Sequence, residues 1–323
     1  MSPLIECRGL VKHFPIKRGF LSRTVGLVHA LDDVTLSIDK SETVGLVGES
    51  GCGKTTLGRC LLRLIEPTRG EVYYDGTNII NLKRRELREL RKSMQAVFQD
   101  PFGSLNPRHT VLDIVGEPLK VHGVAKGREL REQVAELVEK VGLTHDHLYR
   151  LPHEFSGGQR QRIGVARALA LHPNFVVLDE PTSALDVSVQ VQILNLLRDL
   201  QAEMQLTYLF ISHDLSVVKY MSNRIAVMYL GKIVELGSAD GIFNNPTHPY
   251  TKALLSSIPP PDPNVKLQSV LLKGETDVPS PVNPPSGCRF HTRCPIAKPI
   301  CSKRESELLE VSKGHFVACP EVV

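Results

Sequence analysis

The sequence predicts an α/β fold organised around a phosphate-binding loop, and three observations carry that expectation. Thr43-Val44-Gly45-Leu46-Val47 is a short apolar run leading into Gly48-Glu49-Ser50-Gly51-Cys52-Gly53-Lys54-Thr55, a G-x-x-x-x-G-K-[ST] pattern. Apolar spacing from Leu57 to Ile65 then predicts a helix, ended by Pro67. Two more unbroken apolar runs follow, Phe175 to Leu178 and Leu206 to Ser212, closing on Asp179-Glu180-Pro181 and Ser212-His213-Asp214. Runs of this kind suit strands buried on both faces of a parallel sheet. Polar residues at their C-terminal ends sit where open α/β sheets bind ligands.

The bulk numbers exclude several classes. A chain of 323 residues holds one large domain or two smaller ones. The 39 basic and 35 acidic residues leave a net charge of +4, too mixed to predict nucleic-acid binding. The opening Met1-Ser2-Pro3-Leu4-Ile5-Glu6 lacks the cationic and apolar segments of a signal peptide. No apolar run approaches the roughly 18–20 residues that span a bilayer. The expected compartment is the cytosol, and work at a membrane would require docking on a partner that spans it.

The nucleotide-binding domain is expected over residues 1–255. Residues 83–92 are highly charged and read as a solvated helix. Residues 110–148 are helical in pattern, including Glu132 to Val141, which places a helical subdomain at about 90–165. After residue 255 the chain changes character. Eight of the 22 prolines fall within 256–287, at 259, 260, 261, 263, 279, 281, 284 and 285, predicting a stiff extended linker within the region 256–323. Four of the seven cysteines follow: Cys288, Cys294, Cys301 and Cys319. In the cytosol disulfides are rare, so this group calls first for a metal or cluster explanation. No internal repeat is present, so the chain holds one nucleotide unit.

The chemistry of the loop follows from its residues. Glycines let backbone N–H groups turn inward around phosphates, and the helix start adds positive potential. The ATP-binding candidates are Gly48, Glu49, Ser50, Gly51, Cys52, Gly53, Lys54, Thr55 and Thr56. Lys54 reaches the β/γ-phosphates and the Thr55 hydroxyl is placed for Mg²⁺. Cys52 reads as a small filler residue; the sharper alternative is a thiol whose alkylation blocks ATP. Asp179 is the further metal-holding candidate, and Glu180 the residue that polarises an attacking water.

With these motifs in order, the chain resembles the ABC ATPases over roughly residues 4–240. Gln99 matches the Q-loop glutamine, Ser156-Gly157-Gly158-Gln159 the signature, Ser183-Ala184-Leu185-Asp186 the D-loop and His213 the switch histidine. The resemblance implies that two subunits sandwich ATP, the phosphate loop of one facing the signature of the other. Ser156, Gly157, Gly158 and Gln159 would then contact ATP in trans, and Asp186 would couple the two sites. Glu180 would orient water, His213 would contact the γ-phosphate, and Gln99 would join Thr55 and Asp179 around Mg²⁺ and report to the partner. Phe14 is the adenine-stacking candidate, although Lys17 to Val28 reads as an insertion there. Phe155 stands where leucine is commoner.

Other stretches narrow the resemblance. Residues Gln99 to Arg108, Leu185 to Gln190 and Asn245 to Leu255 are similar to the peptide and nickel importer ATPases. Pro152-His153-Glu154-Phe155 and the segment from Phe14 to His29 look like the F-type subunit of dipeptide and oligopeptide importers. That implies a homologous second ATPase as partner in a heterodimer, two integral membrane permeases met by residues 100–118, an extracytoplasmic substrate-binding protein, and a peripheral position on the cytoplasmic membrane face. The cysteine spacing C-x5-C-x6-C-x17-C lacks the close pairs of zinc modules. Four cysteines suffice for an iron–sulfur cluster, and similar tails carry [4Fe–4S]; zinc and unliganded thiols stay open, with His291 and His315 as bystanders. The competing readings are nickel or oligosaccharide import, and a soluble ABC protein acting on nucleic acid or ribosomes.

Overall fold

The computed structural model describes residues 2–19, 23–100, 103–258, 272–273 and 278–322. Pro101 and Phe102 of the segment following Gln99, and the prolines at 259, 260, 261 and 263, lie outside the described residues. The chain divides into two compact units: Met1–Ile38, Thr43–Ile80 and Ser212–Val323 form the first, Asp39–Glu42 and Asn81–Ile211 the second.

The first unit opens with a long antiparallel hairpin, β1 (Ile5–Arg18) and β2 (Arg23–Ile38). The stretch read as an insertion from Lys17 to Val28 contributes to its far end, where Phe14 pairs with Val28 and Ile16 with Gly26. β3 (Thr43–Val47) is buried at every position, as its unbroken apolar run requires. Burial of each such Val or Leu stabilises by about 1.5–3 kcal/mol. Helix α1 (Lys54–Leu61) starts immediately after the glycine loop. It is shorter than the predicted Leu57 to Ile65 segment because Arg63 turns left-handed at φ 47° and breaks the ladder before Pro67 is reached. β4 (Arg69–Tyr74) and β5 (Thr77–Asn78) complete a four-stranded sheet in the order β2-β1-β4-β5.

The second unit begins with the charged helix α2 (Arg84–Leu90), which buries only Leu87. The segment expected to be helical from about residue 90 first forms a strand, β6 (Met94–Val97). Helices follow in α3 (Val111–Val121), α4 (Gly127–Lys140) and α5 (Gly157–Leu169). Thr110 caps α3 by accepting from the Asp113 N–H. In α4, Leu130, Val134, Leu137 and Val138 form one buried stripe at helical spacing. β7 (Phe175–Asp179), α6 (Val187–Met204) and β8 (Thr207–Ile211) close the unit. β6, β7 and β8 are parallel neighbours in that order, with Leu178 opposite both Val97 and Phe210. β7 and β8 are buried throughout, matching the two apolar runs in the sequence.

The chain then returns to the first unit through α7 (Leu215–Met221), β9 (Arg224–Tyr229), β10 (Lys232–Ser238), α8 (Ala239–Asn244) and α9 (Pro249–Ser256). β9 lies parallel to β3, with Val47 opposite Val227. The cysteine-rich tail ends in β11 (Leu309–Ser312) and β12 (His315–Val317). β12 pairs with β10 through Glu235 and Leu236, so the tail extends the sheet that holds the phosphate-loop strand, in the order β11-β12-β10-β9-β3.

Candidate nucleotide site and its cysteine-rich neighbour

The phosphate loop bridges β3 and α1 within the first unit. Gly53 is the N-cap of α1, at φ 110° and without a side-chain cap. A Cβ there would sit 2.2 Å from the Ala30 carbonyl oxygen, so only glycine fits. The uncapped helix start leaves its first N–H groups for an anion. Lys54 is buried, and its Nζ donates to the carbonyls of Gly48 at 2.7 Å and Glu49 at 3.0 Å. An ammonium held in this way is an ordered cation inside a ring of backbone, the arrangement a polyphosphate needs. Cys52 is also buried, and burial pushes its thiol above the ordinary range. A protonated, enclosed thiol fits the filler reading rather than the reactive one.

Phe14 is half-buried on β1, and the Lys12 ammonium lies 4.8 Å from its ring centroid. Within the same unit the Ser212 N–H donates to the Leu46 carbonyl at 3.3 Å. That bond ties the segment carrying exposed His213 to the strand leading into the phosphate loop. Asp214 then caps α7 by accepting from the N–H groups of Ser216 and Val217.

The second unit assembles the remaining candidates. Asp179 is buried at the end of β7. The next residue, Glu180, takes a left-handed φ of 49°, an unfavourable conformation for a residue with a Cβ. Its backbone is held there because its N–H donates to Ile211 O at 2.9 Å and its carbonyl accepts from the Ser183 N–H and hydroxyl. Its carboxylate accepts from Gln99 Nε2 at 2.8 Å. Asp33 and Asp75 are left-handed as well, so what sets Glu180 apart is its place directly after the buried Asp179 and its bond from Gln99.

Ser156 and Gln159 form a reciprocal capping box at the start of α5. Ser156 Oγ accepts from Gln159 N–H at 3.3 Å, and Gln159 Oε1 accepts from Ser156 N–H at 3.0 Å. Gly158 lies against α6: a Cβ there would fall 2.3 Å from Val189 Cγ1. Asp186 caps α6 through Val189 N–H at 3.0 Å, so the signature and D-loop segments are packed together. Beside Asp186, Val187 is 77% and Val191 49% exposed, a small apolar surface at that helix start.

The tail brings two guanidinium groups and one imidazole to buried or half-buried acids of the first unit, contacts no motif reveals. Arg289 donates to the Leu230 carbonyl and to Asp32, which also lies near His13 and His29. His315 Nε2 is 2.7 Å from a carboxylate oxygen of Glu235, which is wholly buried and accepts from the Thr247 and His248 N–H groups. Arg293 makes a bidentate pair with Glu49 of the phosphate loop, at 2.9 and 3.0 Å. Phe290 inserts among Tyr229, Tyr250 and His248, with ring centroids 5.3, 5.3 and 5.9 Å away. The only sequence signal for Arg293 is its place directly before Cys294.

Cys294, Cys301 and Cys319 are buried and Cys288 half-buried, and none is in a disulfide. Cys288 N–H donates to Cys301 O at 2.8 Å. Burial, followed by the proximity of Cys319, Cys294 and Cys301, pushes the Cys288 thiol up to about 11. The four residues spread over the last 36 positions are therefore gathered in one place.

A glycine-rich loop between a buried strand and an uncapped helix start defines a phosphate-binding protein of the P-loop class. The ABC transporter family profile matches residues 31–183, and that of the oligopeptide/dipeptide transporter C-terminal region matches residues 234–301. The oligopeptide transport ATP-binding protein AppF of Bacillus subtilis is 54% identical over 319 residues, covering 98% of this chain and 96% of the relative. A putative peptide import ATP-binding protein of Brucella ovis is 52% identical, with 98% of each chain covered. Among solved structures, the dimeric post-hydrolysis state of the ATP-binding cassette MJ0796 bound to ADP and Pi has a TM-score of 0.64 at 31% identity, covering 73% of this chain and 98% of that one. The chain belongs to the ATP-binding proteins of ABC transporters, in the branch that carries the oligopeptide/dipeptide transporter C-terminal region. It is an ATPase coupled to transport. No helix among the described residues is long and apolar enough to cross a membrane. The similarity to peptide-import ATP-binding proteins gives the chain membrane permeases as partners.

Proposed function

We propose that this chain hydrolyses ATP to energise the uptake of di- or oligopeptides. The observation that carries the cargo assignment is the near full-length similarity to peptide-import ATP-binding proteins, including the C-terminal region that supplies Tyr250 and Arg293. Its partners are a homologous second ATPase in a heterodimer, two permeases and an extracytoplasmic binding protein. Residues 100–118 meet the permeases, and the complex holds the chain at the cytoplasmic membrane face.

Within this reading, Lys54 and the N–H groups of residues 48–56 bind the phosphates, and Phe14 stacks on adenine. Glu180 accepts the proton of the attacking water, with its carboxylate positioned by Gln99. His213 contacts the γ-phosphate. Ser156, Gly157, Gly158 and Gln159 serve the ATP of the partner subunit through a helix start, and Asp186 links the two sites. The exposed Val187 and Val191 support a subunit contact beside Asp186. Mg²⁺, assigned to Thr55, Gln99 and Asp179, supplies charge neutralisation when bound.

Cys288, Cys294, Cys301 and Cys319 hold a [4Fe–4S] cluster in this reading. Four thiols outside any disulfide are the ligand set such a cluster takes. The function is tested by purifying the complex with its membrane partners and measuring peptide-stimulated ATP hydrolysis in vesicles. Stimulation by nickel or oligosaccharide but not by peptides would reject the peptide cargo.

A further inference from the structure

Glu49, the second residue of the phosphate loop, is gripped at both ends. Its N–H donates to the Tyr250 hydroxyl at 3.0 Å. Its carboxylate is forked by the Arg293 guanidinium, which also donates to the Tyr229 hydroxyl at 3.3 Å. Arg293 is itself 4% exposed. Its backbone is fixed by the tail: its N–H donates to Phe290 O and its carbonyl accepts from Lys273 N–H, each at 3.0 Å. The Tyr229 and Phe290 rings flank the guanidinium at 5.8 and 5.9 Å. A bidentate pair of this kind fixes direction as well as distance. It acts on the loop whose Glu49 and Gly48 carbonyls hold Lys54.

We infer that Arg293 is a positioning residue of the phosphate loop, so that the folded cysteine-rich tail sets the loop's affinity for nucleotide. Arg293 touches no nucleotide in this scheme. It holds Glu49, Glu49 holds the first turn of the loop, and the loop presents Lys54 in an ordered place. Because Arg293 precedes Cys294, a change in what the four thiols hold would pass to the loop through one peptide bond and one ion pair. The inference rests on residues 48–55 being the phosphate loop.

The test measures binding of N-methylanthraniloyl-ADP to the full chain, with melting temperature recorded in parallel. Arg293→Ala is expected to weaken binding about tenfold, within the range of couplings between residues in direct contact. Arg293→Lys, which keeps the charge but loses the fork, should fall between that variant and the wild type. Glu49→Gln should weaken binding comparably, and the double variant should be no worse than the poorer single one. Arg289→Ala removes a different tail anchor, so it should lower the melting temperature while leaving affinity within about twofold. Wild-type affinity in Arg293→Ala, additive losses in the double variant, or an equal loss in Arg289→Ala would each overturn the inference. Normal binding by Lys54→Ala would overturn the reading of the loop as well, which separates the two failures.

Discussion

Gln99 Nε2 donates to Glu180 Oε2 at 2.8 Å across a sequence separation of 81 residues. The glutamine expected to report on nucleotide thus engages the carboxylate expected to activate water. Glu180 is held there in a left-handed backbone conformation by bonds to Ile211 and Ser183. In the proposed mechanism this bond sets the direction in which that carboxylate faces.

Replacing Glu180 by Gln removes the proton acceptor but leaves an amide oxygen for Gln99 to donate to. The variant should fold, bind ATP and remain in the ATP-bound dimer, while hydrolysis falls about a hundredfold or more, the scale of lost general-base catalysis. Phosphate release and size-exclusion chromatography with ATP measure both. Full turnover would reject Glu180 in this role.

Lys54→Ala removes the buried ammonium that ties together the Gly48 and Glu49 carbonyls. It should lose nucleotide binding at concentrations that saturate the wild type, a change of about 2 kcal/mol or more for a buried charge-assisted contact. Equilibrium dialysis with labelled ATP reads it directly. The melting temperature should change less than the affinity, since each carbonyl can turn to water.

Anaerobic purification should give a brown protein with about four irons per chain. Cys301→Ser removes a buried member of the set and should abolish the colour. A colourless protein with one zinc per chain would reject the cluster.

Acid should destabilise the first unit through His248. Its Nδ1 caps α9 by accepting from Tyr250 N–H at 3.0 Å, which requires an unprotonated nitrogen. Burial pushes the imidazole from its ordinary value of 6.5 to about 3. Between those values the unfolded chain takes up a proton that the folded chain refuses. The stabilisation is therefore whole above pH 6.5 and declines as pH falls toward 3, by up to about 1.4 kcal/mol per pH unit. His248→Asn keeps a capping oxygen without the titration, and urea unfolding at several pH values should show a flatter acid limb. An unchanged slope would exclude His248 as its source.

The phosphate loop and the fully buried strands β3, β7 and β8 were legible in the residues themselves. Each is specified by a few neighbours: apolar run length or glycine freedom. The same locality explains the misplaced details. The helix after the loop is cut short by a left-handed turn at Arg63 that apolar spacing does not encode. The segment near residue 94 forms a strand because it finds β7 as a parallel neighbour. Only the tertiary structure decided that Gln99 meets Glu180, and that Arg293 reaches Glu49 across 244 residues. Those pairings depend on which surfaces the packed core leaves facing one another, and no periodicity or spacing within a short window records that.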